Sequence, residues 1–389
     1  MRCLIFDLPV YRRVDDPDRK RLDAVLREVG GNTGNLLFHY AIHSHLEDEL
    51  VPCHWMDGLE LARHSSFDGA VLGAANWLNS FHAFSNDKRA RVLKELGLPV
   101  ICIGLGCQHP VTTYERIEFP PETVEFLEVL RRLGAVVLTR DEMTAAQCRH
   151  YGLENVDVMG CPSNFINPRA DLPDQLQAGL SEGKFGTVVL NSGHFSGGTL
   201  ELDRLLLPLT EGRKDSYVIQ DNFHGVMAMA LGRQSEFNPA DVRAIKKAFG
   251  MSRLFPSGKQ AFAALRNQMV AYTDVEEWFA AASGWDLALG SRIHGSMAAI
   301  QSGTPAILVA CDARTEGLAT TMGIPFVPLK SVLDLGRTPG PAEIVGMAKT
   351  DFSGYRNIRK SLAALYAGHL ARFGLTVSKG LLNLAQDAE

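Results

Sequence analysis

The chain has 389 residues, 46% of them hydrophobic and 21% charged, and a formal net charge of −5. That length exceeds one ordinary core and points to two or three folded domains of globular composition. Mild acidity without a basic tail gives a nucleic-acid surface no electrostatic support, and no apolar run approaches the ~20 residues of a membrane span.

The chain opens directly on an apolar strand, Leu4–Leu8, with no signal-peptide core ahead of it. None of the seven cysteines forms a CxxC pair. Both features predict a cytoplasmic protein with reduced, buried thiols. Peripheral membrane association stays open, and the oligomeric state is not legible.

In chain order, helices are expected at Asp18–Val29 and Leu36–Leu46, separated by the loop Gly31-Asn32-Thr33-Gly34-Asn35. Strands follow at Gly69–Gly73, Pro99–Gly104, Ala135–Arg140 and Val156–Met159, with helices Asp87–Leu98, Pro121–Gly134 and Asp141–Gly152 between them. Apolar strands flanked by helices predict a parallel sheet covered on both faces. The acidic cluster Glu47-Asp48-Glu49 reads as a solvated helix end.

Residues 161–184 are polar and contain prolines, which marks an interdomain linker. A second alternating series then begins, with strands at Thr187–Leu190, Tyr217–Gln220, Asp286–Leu289, Ala306–Ala310 and Phe326–Val327. Helices are expected at Gly295–Ser302 and Arg314–Met322, and Tyr355–Phe373 reads as a long amphipathic helix. The division is therefore 1–168 as an acceptor-side domain, 169–350 as a second domain, and 351–389 as a helix returning to the first. Two such sheets place ligands at the carboxyl ends of their strands, in the cleft between domains.

The sharpest local signal is Gly290-Ser291-Arg292-Ile293-His294-Gly295-Ser296. A buried strand ends there, a short loop presents Arg292 and His294, and a helix of small residues begins. Free N–H groups at a helix start, a guanidinium and an imidazole together make an anion site. The plain alternative is an arginine paired with a carboxylate beside a core histidine. Arg314 either supplements this site or pairs with Asp312. Arg140 is either a helix-start ion pair or a substrate anchor. Asn32, Gly34 and Asn35 form a tight turn or a backbone cradle, and match neither Walker A nor GxGxxG. Asn76 ends another strand on the same side, and the neighbouring Trp77 stacks on a sugar or packs. His194 and Asp221 also end strands, and Asp221 is the candidate general base for a sugar hydroxyl. The His39/His43 pair has helical metal-ligand spacing without carboxylate companions, so no metal or cofactor is expected.

The stretches Leu289–Gly295, Ala299–Ala306 and Met322–Pro325 resemble the C-terminal signature of polysaccharide pyruvyl transferases. Leu138–Glu142, Met159–Ser163 and Gly31–Asn35 are similar to further motifs of that family, in family order over about residues 30–330. The chain departs at Asn35, where many members carry Asp. The resemblance implies a GT-B-like fold of two Rossmann-type domains. It also implies pyruvyl ketal transfer from phosphoenolpyruvate to a glycan, lipid-linked or nucleotide-linked sugar, with Arg292, His294 and Arg140 on the donor. The chemistry is compatible: a carboxylate and a phosphate need two cationic anchors, and imidazole suits proton transfer near neutrality or a bond to the phosphate. A GT-B glycosyltransferase, a sugar-nucleotide epimerase and a non-catalytic saccharide-binding relative are the competing readings.

Overall fold

The computed structural model describes residues 1–79, 85–221, 223–237, 239–250 and 257–386. Two six-stranded parallel sheets organise the chain. The first contains β1 (Arg2–Phe6), β2 (Glu49–Cys53), β3 (Gly69–Gly73), β4 (Val100–Leu105), β5 (Val136–Thr139) and β6 (Val156–Val158), in the order β2-β1-β3-β4-β5-β6. The second contains β7 (Val188–Asn191), β8 (Tyr217–Val218), β9 (Met269–Val270), β10 (Leu287–Gly290), β11 (Ala306–Ala310) and β12 (Phe326–Pro328), in the order β9-β8-β7-β10-β11-β12. This is the GT-B-like pair of Rossmann-type sheets that the sequence predicts. Strands β3, β4, β10 and β11 are buried along their whole length, which is why they read as continuous apolar runs.

Strand order reverses between β1 and β3 in the first sheet and between β7 and β10 in the second. The carboxyl ends of those strands are where open α/β sheets form their crevices. Six helices matter for the site: α1 (Gly34–Ser44), α2 (Glu142–His150), α3 (Gly197–Leu206), α4 (Ile293–Gln301), α5 (Ala313–Met322) and α6 (Tyr355–Phe373). Helix α1 packs against α4 across the two halves. One apolar cluster runs from Ile5, Val71 and Ile103 through Leu36 and Phe38 to Leu190 and Leu289. Helix α6 returns to the first sheet: Arg359 donates from Nε to the Asn164 carbonyl at 2.9 Å, and His369 Nε2 lies 2.7 Å from Asp157 Oδ2. A strap at residues 12–14 spans the halves on another side, with Val14 N–H on the Thr273 carbonyl and Val275 N–H on the Arg12 carbonyl.

Several boundaries differ from the sequence reading. Asp48 and Glu49 are not a solvated helix end. Glu49 opens edge strand β2 opposite Arg2, and the Asp48 carboxylate is buried against the Met1 ammonium and the Thr376 N–H. Helix α1 starts at Gly34, two residues early, because Asn32 Oδ1 accepts the Gly34 N–H and closes the turn. Helix α4 starts at Ile293 rather than Gly295. Gly290 at φ 140° ends β10 abruptly, in a conformation L side chains avoid, and a Cβ there would strike the Asn191 backbone. Arg292 therefore takes the N-cap position.

Candidate active site

The site is built at the switch point of the second sheet, from the loops that leave β7 and β10. The β7 loop, Asn191-Ser192-Gly193-His194, is pinned from behind. Asp203 on α3 accepts the Gly193 N–H at 3.0 Å and the Tyr217 hydroxyl at 2.7 Å. Burial raises the Asp203 carboxyl to about 7, against those two hydrogen bonds. In front, Arg292 donates from Nη2 to Asp221 Oδ2 at 2.9 Å, and His194 Nδ1 lies 2.9 Å from the same oxygen. The other Asp221 oxygen accepts the Phe223 N–H. Burial opposes ionisation of Asp221, but the His194 bond and the Arg292 charge outweigh it and hold the carboxyl below its ordinary value. Asn222 lies outside the described residues.

The first sheet supplies Arg140 from the end of β5. It is 3% exposed, donates from Nε to the Gly104 carbonyl at 2.8 Å, and reaches Asn76 Oδ1 at 3.4 Å. Its guanidinium lies 5.3 Å from the Phe38 ring centre. Asp141 caps α2 by accepting the Thr144 N–H at 2.7 Å, while the Arg140 guanidinium bonds Gly104 and Asn76 instead. Arg314 does pair with Asp312, at 3.3 Å, while Asp312 also caps α5 through the Thr315 N–H.

The amino ends of α1 and α4 meet between these arginines. Gly34 faces His294 directly, and the lack of a side chain permits the contact. Gly295 faces Asn191 in the same way, since a Cβ would enter the Asn191 amide. His294 is 7% exposed, with Nε2 3.9 Å from Cys161 Sγ, to which Ser163 donates its hydroxyl at 3.0 Å. Burial, and then the charges of Arg140, Arg292 and Arg314, push the imidazole down to about 3, so it is neutral at physiological pH. Asn32 and Asn35 spend their side chains inside the loop, on the Gly34 N–H and the Val29 carbonyl. Trp77 is packed between Trp55 and Phe126 with Arg89 over its ring.

Around His294, buried polar atoms lack protein partners: Thr33 Oγ1, both amide atoms of Asn191 and of Gln220, Ser192 Oγ, Ser291 Oγ, and Nε of Arg292 and Arg314. Each such atom costs about 1–3 kcal/mol unless something polar meets it. Three guanidiniums and a set of hydroxyls and amides suit a compact, multiply charged anion. The sequence points to Arg140, Arg292, His294, Ser291 and Gly295, which the fold gathers here; it has Thr33 and Cys161 only inside the family-like motifs, with no role of their own, and does not point to Asp203. Gln220 carries a faint signal as a strand-end polar residue; Asp203 sits in an amphipathic helix beside Glu201 and Arg204 and carries none. A surface cavity of about 530 Å³ between Leu207–Lys214 and Ala264–Gln268 lies at the amino ends of β8 and β9, and no residue of the site lines it.

The family model for polysaccharide pyruvyl transferase matches residues 5–313. No curated protein matches the chain. Similar solved structures include a putative UDP-N-acetylglucosamine 2-epimerase from Listeria monocytogenes, with 10% identity, a TM-score of 0.41, and coverage of 95% of this chain and 96% of that one. Anabaena Alr3699/HepE in complex with UDP has 10% identity, a TM-score of 0.41, and coverage of 95% of this chain and 100% of that one. Among the described residues no helix is long and apolar enough to cross a membrane.

Proposed function

Because the chain belongs to the polysaccharide pyruvyl transferase family, we propose that it transfers a pyruvyl group from phosphoenolpyruvate to two hydroxyls of a sugar, forming a ketal. The observation that carries this reading is the group of buried, partnerless polar atoms between Arg140, Arg292 and Arg314. Phosphoenolpyruvate offers a carboxylate and a phosphate on a three-carbon frame, acceptors for the hydroxyls, amide N–H groups and guanidinium N–H groups of that set.

Arg140 anchors one anionic end from the first domain, and Arg292 with the α4 N–H groups anchors the other from the second. Ser291, Gly295 and Gln220 line the same space. A neutral His294 donates a hydrogen bond to the donor. Burial is the larger cause of its low pKa; two or three negative charges among the guanidiniums offset the smaller, charge part and raise the affinity of His294 for the proton it passes to the donor's methylene carbon. Asn76 and the Asn32–Asn35 loop border the acceptor side.

The test is a calorimetric titration with phosphoenolpyruvate and with UDP-sugars, followed by phosphate release in a panel of hexosides. Saturable donor binding and sugar-dependent phosphate release are expected. Binding of UDP-sugars alone would replace this reading with a GT-B glycosyltransferase or epimerase.

A further inference from the structure

We propose that His194, oriented by Asp221, is the general base that takes the proton from the acceptor hydroxyl; this rests on the pyruvyl transfer reading above. Asp221 has no free edge for that task. Its Oδ2 is shared by Arg292 Nη2 at 2.9 Å and His194 Nδ1 at 2.9 Å, and its Oδ1 accepts the Phe223 N–H at 3.1 Å. Its carboxyl is also held below the ordinary range, which makes it a poor proton acceptor.

His194 has the complementary arrangement. Its side chain is 68% exposed while Asp221 is 8% exposed, so one ring edge is anchored and the other is open to solvent. With Nδ1–H donated to the carboxylate, Nε2 is the basic nitrogen and points away from the anchor. Arg292 Nη2 lies 3.1 Å from Nδ1, so the base stands directly beside the arginine that the pyruvyl transfer reading gives to the donor. Behind the loop, the buried Asp203 holds the Gly193 N–H and fixes where His194 emerges.

The proton and electron count closes. The first sugar hydroxyl forms its bond to C2 of the donor as C3 takes a proton from His294 and the C=C bond becomes single. The hydroxyl proton passes to His194 Nε2. The second hydroxyl then attacks C2, the bond from C2 to the phosphate oxygen breaks with its electron pair, and that hydroxyl's proton leaves with the phosphate. His194 returns its proton to solvent through its exposed edge, and His294 regains one.

The experiment uses the full chain with phosphoenolpyruvate and a panel of methyl hexopyranosides and UDP-hexoses. His194→Ala should keep its melting temperature and bind phosphoenolpyruvate within about threefold of wild type. Its kcat should fall roughly 100- to 1,000-fold, with partial recovery on adding imidazole. Turnover within threefold of wild type, or loss confined to donor affinity, overturns the proposal. Nitrogen-15 spectra of the histidine side chains give an arm independent of any acceptor. The Nδ1–H tautomer at residue 194 supports the dyad, and the Nε2–H tautomer, with Nδ1 accepting from Arg292, overturns it. If wild type turns over no sugar in the panel, the failure belongs to the transfer reading, and the tautomer still decides the dyad.

Discussion

Gly34 of the first domain and His294 of the second are in such close contact that a methyl group at residue 34 would lie 2.8 Å from His294 Nδ1. The φ of Gly34 is ordinary, so the demand is purely steric. Gly34→Ala must move the imidazole or part the domains at α1 and α4. Overpacking of this kind costs about 1–3 kcal/mol, and phosphoenolpyruvate binding should weaken at least tenfold. Thermal melts and calorimetry check both numbers. Wild-type donor affinity in Gly34→Ala would mean that this contact lies outside the donor site.

The three arginines should not respond alike. Arg140 is held through Nε by the Gly104 carbonyl and through Nη1 by Asn76, neither of them a charged group, whereas Arg314 already pairs with the Asp312 carboxylate. Arg140→Ala should weaken phosphoenolpyruvate binding about 100-fold, roughly 3 kcal/mol, and Arg314→Ala about tenfold. Arg140→Lys should recover little, because lysine cannot bond Gly104 and fork onto the anion together. Equal losses at both positions would argue for a diffuse field instead of a specific anchor.

What the sequence discloses follows from how local the signal is. The long buried runs Val100–Leu105 and Ala306–Ala310 announce strands by themselves, and Ser291–Gly295 announces a strand end beside a helix start. Strands β8 and β9 have two residues each, too few for any period, and the expected strand Tyr217–Gln220 stops at Val218. Edge strand β2 hides behind an acidic run in which the Asp48 carboxylate meets Met1 and Thr376, at opposite ends of the chain. Cys161 reads as a linker turn, yet it meets His294 across 133 positions. Pairings of that reach come from domain closure, which no local pattern encodes.

Asp203 should leave a signature in stability. Its carboxyl sits at about 7 when folded and near 3.9 when unfolded. The folded state therefore holds the proton more tightly, and the stability this group contributes at low pH is lost progressively as pH rises from about 4 to 7. Asp203→Asn removes that titration. The melting temperature of wild type minus that of the variant should grow as pH falls from 8 to 5, by a difference worth a few kcal/mol at most, while other titrations cancel. A flat difference would mean that Asp203 ionises like an exposed carboxyl.

Donor binding should carry a proton with it. In the free protein His294 is neutral, because burial and three guanidiniums depress it to about 3. Phosphoenolpyruvate brings two or three negative charges into the same space and offsets the part of that depression owed to the guanidiniums, while burial remains. The proton affinity of His294 therefore rises on binding, and by linkage the proton it takes up makes the affinity for phosphoenolpyruvate rise as pH falls from 8 to 6. Calorimetry in two buffers of different ionisation enthalpy reads the uptake as a difference in apparent enthalpy. His294→Gln keeps the ring's approximate shape and its hydrogen bond but cannot titrate. The uptake remaining in that variant belongs to the phosphate group itself, and the excess in wild type belongs to His294. An excess of zero would leave His294 a hydrogen-bond donor only, and the proton for the methylene carbon would have to come from elsewhere in the cleft.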